Sequence, residues 1–135
     1  MTKRRKICII LPFSIVGCFL LYSWTQFLFN DYVPQVAHYL GLLLFLPILY
    51  FLFLANNYKK ALLTTGAYLI LSTINLLSFN SGIITTSFGI SIGSTQLYSP
   101  AVNGWGFVLL LFYGIINFDN LVEVELDYKE AKGKL

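Results

Sequence analysis

Between Ala61 and Phe118 the chain carries no Asp, Glu, Lys or Arg. A water-soluble domain needs charged surface along every exposed element, and about a quarter of its residues are charged. Here 11% of the 135 residues are charged and 57% are hydrophobic. The excess of apolar side chains requires a membrane, and it excludes soluble, disordered, coiled-coil, disulfide-framework and nucleic-acid-binding classes.

A helix crossing a hydrocarbon core of roughly 30 Å needs about 20 apolar residues, because its backbone polar groups have only one another as partners there. Four segments meet that requirement: about 7–29, 36–54, 61–79 and 101–118. Asn30-Asp31-Tyr32-Val33-Pro34 breaks the first from the second, with Pro34 placed where it suits a helix start. Asn56-Asn57-Tyr58-Lys59-Lys60 separates the second from the third so closely that the two must be antiparallel neighbours. The expected fold is an all-α integral membrane protein in one domain, with four transmembrane helices in an antiparallel bundle.

Basic residues in short flanking segments stay on the cytoplasmic side. Lys3, Arg4, Arg5 and Lys6 precede the first span, Lys59 and Lys60 follow the second, and Lys129, Lys132 and Lys134 follow the fourth. Four passes with both termini cytoplasmic put all of them on one face, leaving Asp31 as the only formal charge on the other. Tyr22, Trp24, Tyr32, Tyr39, Tyr98 and Trp105 mark the outer aromatic belt, and Tyr50, Tyr58 and Tyr113 the inner one. Tyr68 falls near mid-span, where its hydroxyl needs a partner. The compact chain and its Lys-, Ile- and Asn-rich style point to a bacterial inner membrane.

The basic start followed by an apolar stretch also fits a secretory signal, and Ile15-Val16-Gly17-Cys18 resembles the box before a lipid-modified bacterial cysteine. The apolar run continues to Phe29, however, whereas a cleaved signal has a core of about 7–15 residues and then a polar mature start. An uncleaved first span is the expected state, and intact mass or palmitate labelling of Cys18→Ser tests it.

No acidic or basic residue lies inside a predicted span. This counts against proton-coupled transporters, voltage sensors and exporters that depend on a membrane-embedded carboxylate. Two polar stripes remain. Ser14, Cys18, Tyr22 and Thr25 step along one face of the first span, and Thr64, Tyr68, Ser72 and Asn75 repeat that spacing on the third. Small and hydroxyl residues let helices approach and hydrogen-bond in lipid. The stripes therefore serve packing within the bundle, docking of another protein's helix, or a polar lining for a small ligand. Pro47 interrupts the second span and predicts a kink, either a static bend or a hinge. His38, at the outer edge of that span, reads as an interfacial hydrogen-bonding residue, with proton sensing as its sharper alternative.

Cys8 and Cys18 stand about 15 Å apart along one helix and cannot pair. The sequence holds no close cysteine pair, metal-ligand cluster, Ser-His-Asp set or phosphate-binding glycine loop. No cofactor and no enzymatic activity are expected.

The loop at 80–100 is rich in Ile, Thr and Ser, and Phe88, Ile90 and Ile92 alternate with small residues as in a half-buried strand. With a tight turn at Gly93-Ser94, it predicts a small extracytoplasmic β-hairpin over the bundle mouth, acting as a lid or as an edge for pairing with another chain. A re-entrant segment is the alternative. The tail at 119–135 is expected to continue the fourth helix into the cytoplasm and fray near Gly133, with Glu125 and Lys129 paired and Leu121, Val124 and Tyr128 on one face. Its net charge of −2 against +4 at the N-terminal run predicts that the two lie together.

These readings converge on a small, non-enzymatic polytopic protein acting as an accessory, regulatory or immunity-type subunit, with the lipid bilayer, another membrane protein or a second copy as partners. The alternative is an oligomeric transport or channel component for an uncharged or lipid-like substrate held between the first and third helices. A membrane enzyme acting on lipid is the third and least supported class.

Overall fold

The computed structural model describes residues 3–81, 85–86, 89–98 and 102–133. The chain is mostly helical: α1 (Lys3–Phe29), α2 (Val36–Leu49) continued by a π turn (Tyr50–Leu54), α3 (Tyr58–Thr73), α4 (Gly104–Ile116) and α5 (Phe118–Ala131). Two helical segments, Lys3–Phe29 and Val36–Leu54, are long and apolar enough to cross a membrane; α4 and α5 together make a third if their bend is part of one span.

The core is one apolar cluster in which α1 supplies Ile9, Phe13, Val16 and Leu20, α2 supplies Phe45 and Ile48, and α3 supplies Ala61, Leu62 and Leu69. Phe13 stacks on Phe45 at 4.6 Å between centroids, which seats α1 against α2. Gly66 and Gly106 bring α4 onto α3. A Cβ at Gly66 would meet the Tyr113 hydroxyl at 3.0 Å, and one at Gly106 would meet the backbone and hydroxyl of Ser72 at 3.0 Å.

Two features differ from the sequence-based expectation. First, the third helix was expected over 61–79 but runs from Tyr58 to Thr73. Asn75 adopts φ +61°, a left-handed conformation that Asn tolerates and that ends a helix. Asn75 is therefore not the last step of a helical stripe. Residues 77–80 fold back into the protein without helical structure, and all four are buried. Their backbone is tied down by bonds such as Ser78 N–H to Ala37 O at 2.9 Å.

Second, the tail does not continue the fourth helix. α4, expected over 101–118, is Gly104–Ile116, and α5 leaves it at 71° across Asn117. The cause lies in α1. Pro12, inside that helix, has no N–H to give the Cys8 carbonyl one turn back. Asn117 Nδ2 donates to that carbonyl instead, at 2.8 Å, which holds the bend against α1. Ion pairs Arg5–Glu123 and Lys59–Asp127 then fold α5 back on the N-terminal run and the start of α3, as the opposite charges predicted. The Asp127 hydrogen bond holds the Lys59 ammonium above its ordinary pKa. Glu125 and Lys129 pair at 2.7 Å, which lowers the Glu125 carboxyl. Lys132 sits over the Tyr128 ring at 4.4 Å, and α5 stops at Ala131 with Gly133 at φ +63°.

The second helix keeps its expected extent, with α2 continuing past Pro47 and widening into the π turn, where Ala55 N–H donates to Tyr50 O at 2.9 Å. Within the 80–100 segment the described backbone pairs Gly89–Ile92 (β2) antiparallel with Thr95–Tyr98 (β3). Thr85–Thr86 (β1) pairs antiparallel with Val102–Asn103 (β4), so the segment leaves and returns at one place.

Candidate functional site

The two predicted stripes have opposite fates. On α1, Ser14, Cys18, Tyr22 and Thr25 are all exposed. Thr25 turns its hydroxyl back to the Tyr22 carbonyl at 2.6 Å, the local bond expected of Thr on an open helix face. Around the other three runs an open apolar groove of about 470 Å³, lined by Leu11, Ser14, Ile15, Cys18, Phe19 and Tyr22. Phe19 forms one edge of it, with its ring 5.4 Å from the exposed Trp105 ring at the start of α4. The side of α1 that joins the core is apolar, so the α1 stripe does not look onto α3.

On α3 the stripe turns inward. Tyr68 is buried, and its hydroxyl donates to Gly41 O on α2 at 3.0 Å. Thr64 donates to Lys60 O at 2.8 Å within its own helix. Ser72 is fully buried where α4 crosses, and its Oγ has no hydrogen-bond partner among the described residues. Asn75 lies beyond the helix end. Ser72 and Tyr68 thus bind α3 to α4 and α2 in the protein's own interior.

Sequence reading passed over a third cluster, where the non-helical 78–80 segment meets three helices. The Ser23 hydroxyl of α1 donates to Phe79 O at 3.0 Å. The Ser78 hydroxyl lies 3.0 Å from Asn80 O, and Asn103 Nδ2 lies 3.4 Å from Asn80 Oδ1. Asn103 Oδ1 accepts the Gly106 N–H at 3.2 Å and so caps α4. His38 joins from α2: its Nδ1 accepts the Gln35 N–H at 3.0 Å, which leaves the ring proton on Nε2 to be donated to Asn80 O at 3.1 Å. Ser23, His38, Ser78, Asn80 and Asn103 are all buried. His38 is therefore a buried hydrogen-bonding residue that fastens α2 to the 78–80 segment. The signal was present as Ser23 inside the first apolar run and four polar residues at the ends of the others, but only the fold unites them.

Phe88, expected at the outer-loop contact, lies outside the described residues, as do the side chains of Ile90 and Ile92. Cys8 and Cys18 are free thiols. Among the described residues no group of three His, Cys, Asp or Glu side chains is placed to hold a metal. No family model, no curated protein and no solved structure matches this chain.

Proposed function

We propose that this is a non-enzymatic, four-pass inner-membrane protein of a bacterium, with both termini cytoplasmic, acting as an accessory, regulatory or immunity-type subunit that docks one transmembrane helix of another membrane protein along α1. The observation that carries this reading is the outward placement of Ser14, Cys18 and Tyr22 in an open apolar groove, while the equivalent stripe on α3 is consumed internally. Lipid offers hydroxyl side chains no hydrogen bonds, whereas a neighbouring helix does, at about 0.6–2 kcal/mol each. Small side chains at Ser14 and Cys18 also let a second backbone approach.

Length alone supports two spans, or three with α4 and α5 as one, so the four-pass reading leans on burial. At 1.5 Å per residue, the 16 residues of α3 and 13 of α4 rise about 24 and 20 Å, short of a core of roughly 30 Å. Residues 77–80, which fold back after α3, and Asn103, which precedes α4, are buried in protein, the condition under which irregular backbone is tolerated at membrane depth. The paired β2 and β3 then form a small extracytoplasmic β-hairpin over the bundle mouth, a second contact for the partner. The alternative of a substrate held between the first and third helices has no observation in its favour, because the α1 stripe faces away from α3.

Cys18→Trp fills the groove without touching the core. The expected result is unchanged accumulation and thermal stability, with recovery of the partner in mild detergent falling by about tenfold, the scale of one or two lost helix contacts. Unchanged recovery contradicts the docking role.

A further inference from the structure

No Pro or Gly lies between Ile115 and Ala131, so the sequence allows α4 and α5 to be one continuous helix. The observed helical ladder stops with Asn117 N–H to Tyr113 O at 3.0 Å and resumes with Leu121 N–H to Asn117 O at 2.9 Å. Three bonds of a straight helix, from the N–H groups of Phe118, Asp119 and Asn120 to the carbonyls of Gly114, Ile115 and Ile116, are given up at the bend. In their place the bent form has Asn117 Nδ2 on Cys8 O, Leu121 and Val124 partly buried against the core, and the pairs Arg5–Glu123 and Lys59–Asp127. The packing beneath α5 is loose, because a hollow of about 200 Å³ remains where Val124 meets Ile9 and Leu62. A few weak interactions thus stand on either side of the balance, the condition for a two-state element.

The charges say what tips it. All four side chains of the two ion pairs are close to half exposed, where such pairs are weak and open to competition. α5 carries five carboxylates and one ammonium, a net charge of −4. Asp119 and Glu130 make no ion pair among the described residues. An anionic leaflet acts on both features. Its phosphates compete for Arg5 and Lys59, and its surface potential of about −30 mV favours removal of each net negative charge by about threefold. The 14 residues of α5 rise about 21 Å, so straightening through 71° carries its tip about 24 Å, beyond a Debye length of about 8 Å. We propose that α5 is an electrostatic latch, closed against Arg5 and Lys59 and opened by an anionic phospholipid surface, which straightens it onto α4. Opening lifts α5 from Ile9 and Leu62, both fully buried in the closed state. The latch rests on the four-pass reading for one point, the placement of α5 at the cytoplasmic membrane surface.

Spin labels at exposed Leu63 on α3 and Ala131 at the tip of α5, in the full chain with Cys8→Ser and Cys18→Ser, read the latch as a distance distribution in nanodiscs. The expected result is one short distance in phosphatidylcholine. In an equal mixture with phosphatidylglycerol a second, longer distance should appear, the ratio of long to short rising by about tenfold or more. Arg5→Gln with Lys59→Gln should show the long distance in phosphatidylcholine alone, whereas Arg5→Lys with Lys59→Arg, which keeps both charges, should not. Asp119→Asn with Glu130→Gln breaks no ion pair and should lose most of the response to phosphatidylglycerol. The same single distance in both lipids, or a Gln pair that stays closed in both, overturns the latch. Opening by soluble glycerol phosphate in phosphatidylcholine discs assigns the trigger to a free anion and overturns the lipid surface. In sealed vesicles, labels at Lys3 and Ala131 that a membrane-impermeant reductant reaches from opposite faces contradict the four-pass reading itself, a failure distinct from the others.

Discussion

Gly41→Ala is expected to abolish accumulation of the folded protein. A Cβ at that position would stand 2.1 Å from the carbonyl oxygen of Ser78 and 2.9 Å from its carbon. Both are backbone atoms, and the segment that carries them cannot retreat freely, since Ser78 N–H is bonded to Ala37 O one turn earlier on the same helix. Relief requires residues 77–80 to lift off α2, which pulls Asn80 O away from His38 and Phe79 O away from Ser23. Overpacking alone costs about 1–3 kcal/mol, and each buried group stripped of its partner adds about 1–3 kcal/mol. A combined loss of about 3–9 kcal/mol is comparable with the ~5–15 kcal/mol by which folded domains are stable. Gly114→Ala is the matched control: a Cβ there has nothing within 4 Å, and in the α4 interior it is expected to be neutral or to stabilise by up to about 1 kcal/mol. Yield and thermal midpoint in detergent, measured for the two variants side by side, check both statements. Accumulation of Gly41→Ala equal to that of Gly114→Ala contradicts the packing of residues 77–80 on α2.

His38→Leu is expected to have the next largest effect. Leu is close in size, so the change tests hydrogen bonding more than volume. It removes the acceptor of the N–H of exposed Gln35, in a part-buried bond, and one of two donors to the buried Asn80 O, which keeps the Ser78 hydroxyl. With neither group wholly stranded, the loss is about 1–3 kcal/mol. The Phe27 ring, 4.8 Å from the imidazole, loses an aromatic neighbour as well. Tyr39→Leu, one residue on and half exposed, is expected to change stability by less than about 1 kcal/mol. A thermal midpoint for His38→Leu within that same margin contradicts an internal role for this histidine.

The sequence was most legible where a single physical demand governs many residues. The long apolar runs of the first two helices have one solution in a membrane, and their observed bounds, Lys3–Phe29 and Val36–Leu54, include the expected ones. Hydropathy is silent about where an apolar run stops being helical, and the third segment shows why. Leu76, Leu77 and Phe79 are as apolar as any helical residue, but Asn75 in the left-handed conformation turns them out of the helix. The bend at Asn117 was hidden for a related reason, because its cause, the carbonyl freed by Pro12, lies far away in the chain. Periodicity placed Ser14, Cys18 and Tyr22 on one face but did not say whether that face turns in or out, since in lipid both sides of a helix are apolar. Only packing separates the outward stripe on α1 from the inward one on α3. The cluster of Ser23, His38, Ser78, Asn80 and Asn103 escaped for want of any spacing rule that joins four elements.

The account stands most directly on the α1 face being the one that meets another protein. A photoreactive side chain placed in turn at Ser14, Cys18 and Tyr22, and for comparison at Leu43 on the exposed side of α2, reads this out in native membranes. The account predicts one discrete protein adduct, of the same mass from all three α1 positions and absent from Leu43. Lipid adducts alone from α1, or the same protein adduct from Leu43, would contradict it.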